Sequence, residues 1–153
     1  RYDSRLKGKT FALWGLAFKP DTDDIREAPS LEIIAALLEC GAEVRAYDPE
    51  AAENVKKLLG NKIVYANSAL ETLDGADALV VVTEWKEFAV VEPREIASRL
   101  KEKVIFDGRN IFDVQQLEQA GFAYYSIGRR SIADTHSSQF GEKEEAITQV
   151  GTA

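Results

Sequence analysis

Asp77-Ala78-Leu79-Val80-Val81-Val82-Thr83 is the most apolar stretch of the chain. A strand this continuously hydrophobic, with no polar alternation, fits a central position covered on both faces. Upstream of it lie a short helix, Ser68 to Leu73, and a short strand, Ile63-Val64-Tyr65. Further back come a helix over 51–59, with Gly60-Asn61 after it, and the strand Glu43-Val44-Arg45-Ala46-Tyr47, ending in Asp48-Pro49. Before that, Leu31, Ile34, Ala35 and Leu38 recur at helical spacing. Pro29 stands where a first helical turn tolerates proline, and Gly41 supplies a stop. The earliest strand is Thr10-Phe11-Ala12-Leu13-Trp14, closed by Gly15. Downstream of residue 83, Pro93 to Leu100 reads as a helix and Lys103 to Phe106 as a strand. Val114 to Ala120 reads as a helix closed by Gly121, and Ala123 to Ile127 as a last strand.

Six strands separated by helices predict an α/β fold with a doubly wound, mainly parallel, six-stranded Rossmann-like sheet and helices on both faces. Right-handed crossovers and the commonest order for this fold class place the first and fourth strands side by side at the centre. The alternation is read from the residues; the order is taken from the fold class.

At 153 residues the chain has the length of one domain, with 45% apolar and 29% charged residues. Residues 6–129 are expected to form that domain. Beyond Gly128 large apolar residues thin out, so 130–153 reads as a flexible tail with a weak helix around Glu142 to Val150. Nineteen basic against 26 acidic residues give a formal charge of -7, which argues against a nucleic-acid partner. A small phosphate pocket remains open, since a few converging cations suffice. The single Cys40 excludes a disulfide framework and multi-cysteine zinc sites, and the single His136 excludes His-rich metal spacings. No metal is expected. Apolar runs fall far short of the ~20 residues that cross a bilayer. No membrane association is expected, and a cytoplasmic location is the default reading.

Ligands of such sheets bind outside the carboxyl ends of the strands, where the winding reverses. The loops concerned are Gly15-Leu16-Ala17-Phe18-Lys19-Pro20 through Arg26, then Thr83-Glu84-Trp85, and Asp107-Gly108-Arg109-Asn110. Lys19, Arg26 and Arg109 therefore fall near one rim, a reasonable grip for a diphosphate. The first loop is not a dinucleotide fingerprint, because Leu16, Ala17 and Phe18 stand where glycines would let a pyrophosphate touch the backbone. Asp48 reads either as a ribose ligand or as a turn residue. Each cation also has a plainer reading: Lys19 as solvated, Arg26 as balancing Asp23, Asp24 and Glu27, Arg109 as capping a strand end. Trp14 and Trp85 read as packing residues rather than base-stacking platforms, and Cys40 as a structural thiol. Asp21, Asp23 and Asp24 lack the other ligands of a calcium loop and read as solvated or helix-capping.

The run Gly15-Leu16-Ala17-Phe18-Lys19-Pro20-Asp21-Thr22-Asp23-Asp24-Ile25-Arg26-Glu27-Ala28-Pro29 resembles the signature of the C-terminal domain of nucleotide-sugar dehydrogenases. Within that family it is most similar to the bacterial UDP-glucose 6-dehydrogenase branch. Phe106-Asp107-Gly108-Arg109-Asn110 resembles the domain's second hallmark, and Tyr125-Ser126-Ile127-Gly128-Arg129 its last strand. The resemblance implies that Phe18, Lys19 and Arg109 bind the UDP-sugar, and that Arg26 reaches toward NAD held mainly by another domain. It implies oxidation of UDP-glucose to UDP-glucuronate through a catalytic cysteine in a Gly-rich motif, which Cys40 does not match. On that reading the chain is a C-terminal portion, not catalytic alone, of an enzyme that is a homodimer or larger. Alternatives are a non-catalytic assembly or regulatory module, or the same domain from a GDP-mannose or UDP-N-acetyl-mannosamine dehydrogenase. Ala28 departs from the family pattern, where a Ser before the proline would cap the helix.

Overall fold

The computed structural model describes residues 6–126. The expected tail at 130–153, its helix around Glu142 to Val150 and His136 lie outside the described residues, as does Ile127 at the end of the last expected strand.

The strands are β1 (Thr10–Trp14), β2 (Glu43–Tyr47), β3 (Val64–Tyr65), β4 (Ala78–Val81), β5 (Val104–Asp107) and β6 (Ala123–Ser126). The helices are α1 (Pro29–Glu39), α2 (Ala52–Leu59), α3 (Ala69–Leu73), α4 (Lys86–Ala89), α5 (Pro93–Arg99) and α6 (Val114–Gln119). The sheet runs β3-β2-β1-β4-β5-β6, with every pair parallel. The fold is the expected Rossmann-like one, and β1 and β4 do lie side by side, with Phe11 beside Ala78 and Trp14 beside Val81.

Parallel strands need both faces covered, and the strict alternation of side chains divides the apolar residues between two cores. Phe11, Leu13, Val44, Ala46, Val80 and Phe106 pack in one core with Ile33, Ile34 and Leu37 of α1 and Val55 of α2. Ala12, Trp14, Leu79, Val81, Ile105 and Tyr124 pack in the other with Leu73 of α3, Phe88 of α4, Ile96 of α5 and Leu117 of α6. The run that looks uniformly apolar in sequence is thus two interleaved sets serving opposite layers. Trp14 is fully buried, and its indole N–H donates to Ala69 O at 3.0 Å and Thr72 Oγ1 at 2.9 Å. It is a packing residue, as read.

Two elements escape the sequence pattern: the four-residue α4 and a 3₁₀ turn at Gly60–Lys62. Strand β4 is also shorter than Asp77 to Thr83. The amides of Val82 and Thr83 both turn onto Trp14 O, at 2.8 and 3.3 Å, so the chain leaves the ladder there.

Candidate functional site

The first loop leaves β1 at Gly15, whose amide donates to Tyr47 O at 2.9 Å. Its φ of +100° suits glycine, and a Cβ there would lie 2.4 Å from Thr83 Cβ. Gly15 therefore serves a close approach between β1 and the end of β4. The next two amides turn inward: Leu16 N and Ala17 N donate to Asp48 Oδ2 at 2.7 and 3.0 Å. Trp85 Nε1 joins them at 3.1 Å, while Asp48 Oδ1 accepts from Glu50 N and Ala51 N, both at 2.8 Å. The carbonyls are held too, Leu16 O by Ser30 Oγ at 2.7 Å and Ala17 O by Thr83 Oγ1 at 2.6 Å. Of the two readings open for Asp48, the structure realises the turn. The amides that a dinucleotide pyrophosphate would need are engaged by a carboxylate of the chain itself.

Phe18 follows, half-buried, with its amide donating to Asp24 O at 3.0 Å and so closing the acidic segment into a loop. Lys19 is exposed and its Nζ sits 5.4 Å from the centre of the Phe18 ring, within cation–π range. Arg26 grips Asp24 with two nitrogens, Nε to Oδ1 at 3.0 Å and NH2 to Oδ2 at 2.6 Å. The Arg26 hydrogen bond is the main reason that the Asp24 carboxyl falls from the ordinary 3.8 to about 2, with a smaller contribution from the charge of Lys19. Arg26 therefore does balance a local acid. Its side chain nonetheless stays 87% exposed, with NH1 turned to no partner among the described residues.

The second loop is built on Asp107, the last residue of β5 and 1% exposed. Oδ1 accepts from Arg109 N and Asn110 N, and Oδ2 from Ile111 N and the Tyr124 hydroxyl, all at 2.8 Å. These bonds hold Asn110 in the left-handed region, at φ 58°. Arg109 then lies back along the sheet, half-buried, with Nε donating to Val82 O at 2.7 Å. Anchored by that one nitrogen, it presents NH1 and NH2 without a hydrogen bond among the described residues.

The three cations lie along one connected path. Lys19 and Arg26 both act on Asp24, while Arg109 holds Val82, whose neighbour Thr83 holds Ala17, next to Phe18. Two open hollows of about 560 and 340 Å³ border α5, and none of Phe18, Lys19, Arg26 and Arg109 lines either. Sequence reasoning missed Asp107, Ser30 and Thr83, and it read Trp85 only as packing. For Asp107 and Thr83 the local signal was a polar residue where a strand ends, a place where side chains bond backbone; Ser30, inside the first turn of α1, had none. Cys40, just after α1, is half-buried and packs against the first core. No group of three His, Cys, Asp or Glu among the described residues is arranged to hold a metal ion.

Residues 12–114 match the profile of the UDP-glucose/GDP-mannose dehydrogenase family, UDP binding domain. A UDP-glucose 6-dehydrogenase of Bacillus subtilis, TuaD, is 40% identical over 133 residues, covering 87% of this chain and 29% of that protein. Among solved structures, a UDP-glucose dehydrogenase from the archaeon Pyrobaculum islandicum superposes with a TM-score of 0.65 at 32% identity, covering 78% of this chain and 25% of its own. A UDP-D-ManNAc dehydrogenase from Pyrococcus horikoshii does so with 0.66 at 31% identity, covering 82% of this chain and 27% of its own. The chain thus spans less than a third of the length of these relatives.

Proposed function

The chain belongs to the UDP-glucose/GDP-mannose dehydrogenase family, as its UDP-binding domain, and on that premise we propose that it grips UDP-glucose for an NAD-dependent UDP-glucose 6-dehydrogenase. The observation that carries the reading is Arg109. A guanidinium fixed at Nε on a strand-end carbonyl, with both terminal nitrogens open among the described residues, is a donor fork already oriented for a phosphate. Lys19 adds a second charge and Phe18 an apolar face beside it. Charge-assisted hydrogen bonds contribute about 1.5–3 kcal/mol each, so two suffice for measurable binding.

Within the reaction, this chain's residues bind and orient. Lys19 and Arg109 hold the diphosphate, which fixes the direction in which the attached sugar leaves the rim. NAD, when bound, takes up hydride from the sugar carbon being oxidised. The first loop does not suit its pyrophosphate, because Asp48 already holds the Leu16 and Ala17 amides. The NH1 edge of Arg26, open among the described residues, is a group suited to reach it. The catalytic cysteine and the main NAD-binding residues belong, on this reading, to the rest of the enzyme. A homodimer or larger assembly and a cytoplasmic location belong to the same proposal; no described helix is long and apolar enough to cross a membrane.

Titration of this chain with UDP and UDP-glucose, followed by amide NMR shifts, tests the reading. Shifts centred on Phe18, Lys19 and Arg109 are expected; shifts confined to other regions sink the site. The similar likeness to the UDP-D-ManNAc dehydrogenase favours a second reading, in which the sugar is an N-acetylated hexosamine. Competition between UDP-glucose and UDP-N-acetyl-mannosamine for the reconstituted full enzyme separates the two.

A further inference from the structure

We propose that Asp48 and Asp107 are positioning residues that set the two ligand-bearing loops separately, Asp48 acting through Lys19 and Asp107 through Arg109. The proposal rests on the UDP reading above. The two carboxylates stand at corresponding places, at the carboxyl ends of β2 and β5, the strands that flank the central pair. Both are nearly inaccessible, 4% and 1% exposed, and neither has a cation within salt-bridge distance among the described residues. Their charge is instead met by neutral donors, four N–H groups of the backbone and one indole at Asp48, three N–H groups and one hydroxyl at Asp107. Burying a charge this way is costly unless the donors converge, so each carboxylate dictates the path of the loop around it.

Among the described residues the two carboxylates share no donor, although the loops touch where Thr83, next to the Val82 that holds Arg109, bonds Ala17 O. Asp48 fixes Leu16 and Ala17, the two residues immediately before Phe18 and Lys19. Asp107 fixes the amides of Arg109, Asn110 and Ile111, and with them the turn that lays Arg109 Nε on Val82 O. The chemistry also ranks the pair. Among the described residues both Asp48 oxygens face only N–H donors, so the amide of an asparagine opposes donor to donor whichever way it is turned. At Asp107 the Tyr124 hydroxyl can rotate and accept, which leaves only the Ile111 amide opposed.

The test is a set of double-mutant cycles on UDP affinity in the 153-residue chain, with Asp48→Asn and Asp107→Asn each combined with Lys19→Ala and with Arg109→Ala. Asp48→Asn is expected to weaken UDP binding about tenfold, and Asp107→Asn less. The Asp48→Asn effect should largely vanish in the Lys19→Ala background and persist in the Arg109→Ala background, with the reverse for Asp107→Asn. Equal losses in both backgrounds, as general loosening would give, overturn the proposal. Should the asparagine variants not fold, Trp85→Phe and Tyr124→Phe each remove one donor from Asp48 and Asp107, and the same crossed pattern decides. If the unaltered chain ignores UDP, the functional reading falls by itself, and ligand-free amide exchange judges the positioning. Asp48→Asn must then speed exchange at Phe18 and Lys19 while sparing residues 109–111, and Asp107→Asn the opposite; a common change in both loops overturns it.

Discussion

A methyl group at Gly15 would meet Thr83 Cβ at 2.4 Å and Thr83 N at 2.5 Å, on a backbone whose φ is +100°. Neither backbone can give way without parting β1 from β4. Overlap and left-handed strain add, so Gly15→Ala is expected to cost about 3 kcal/mol or more. The midpoint of urea unfolding measures it, and a loss below ~1 kcal/mol would show that the rim can relax. Asp24 makes a different kind of statement. Its carboxyl lies near 2 rather than 3.8 because Arg26 bonds the ionised form. A lowered folded value means that the pairing contributes fully above the ordinary carboxylate range and is lost as pH falls through about 2. Carboxyl-carbon NMR should give a midpoint near 2, moving up toward 3.8 in Arg26→Ala. For the ligand grip itself, Lys19→Ala and Arg109→Ala should each weaken UDP binding by about 2 kcal/mol; the unfolding midpoint should stay put for exposed Lys19→Ala and fall slightly for Arg109→Ala, which frees the Val82 carbonyl. Calorimetric titration beside thermal melts checks both halves of that expectation.

Among the elements, α1 begins without a side-chain cap: Ala28 stands at its N-cap in extended conformation, φ -71° and ψ 129°, and bonds nothing through its side chain. Ser68 and Asp113 show what is missing, the first accepting from Glu71 N and the second from Gln115 N and Gln116 N. Ala28→Ser should therefore stabilise the domain by about 1 kcal/mol, read as a higher melting temperature. A fall would mean that the buried position does not tolerate the hydroxyl. The absent cap was visible in the sequence, as were the strands and the longer helices, because each is written in neighbouring residues: Leu31, Ile34 and Leu38 at helical spacing, Gly41 and Gly121 as stops. The helix α4 was not, since four residues, Lys86–Ala89, hold too short a pattern to read. The roles of Asp48 and Asp107 differ between themselves. Asp107 bonds amides two, three and four residues on, all within its own loop. Asp48 reaches Leu16 and Trp85, 32 and 37 residues away, and only the folded sheet brings them together.

For the whole molecule, an acidic chain with a formal charge of -7 is proposed to bind an anion, so long-range and contact electrostatics oppose each other. Six parallel strands set about 4.8 Å apart spread the sheet over roughly 24 Å, which puts charges at its edges ten or more ångströms from the central rim. On the proposed reading, Lys19 and Arg109 act at hydrogen-bond distance. Salt separates the two ranges, because the screening length is about 30 Å at 0.01 M, 8 Å at 0.15 M and 3 Å at 1 M. Raising salt from the lowest value first removes the repulsion from distant acids while sparing the contact pairs. Raising it further weakens the contacts themselves. UDP affinity should therefore peak at intermediate ionic strength rather than fall throughout. Dissociation constants at the three salt concentrations test this, with Arg109→Ala as control, whose curve should flatten at the high-salt end. A steady decline from the lowest salt would mean that the cations of the rim dominate even at long range, and that the acids of the rest of the surface are too dispersed to be felt there.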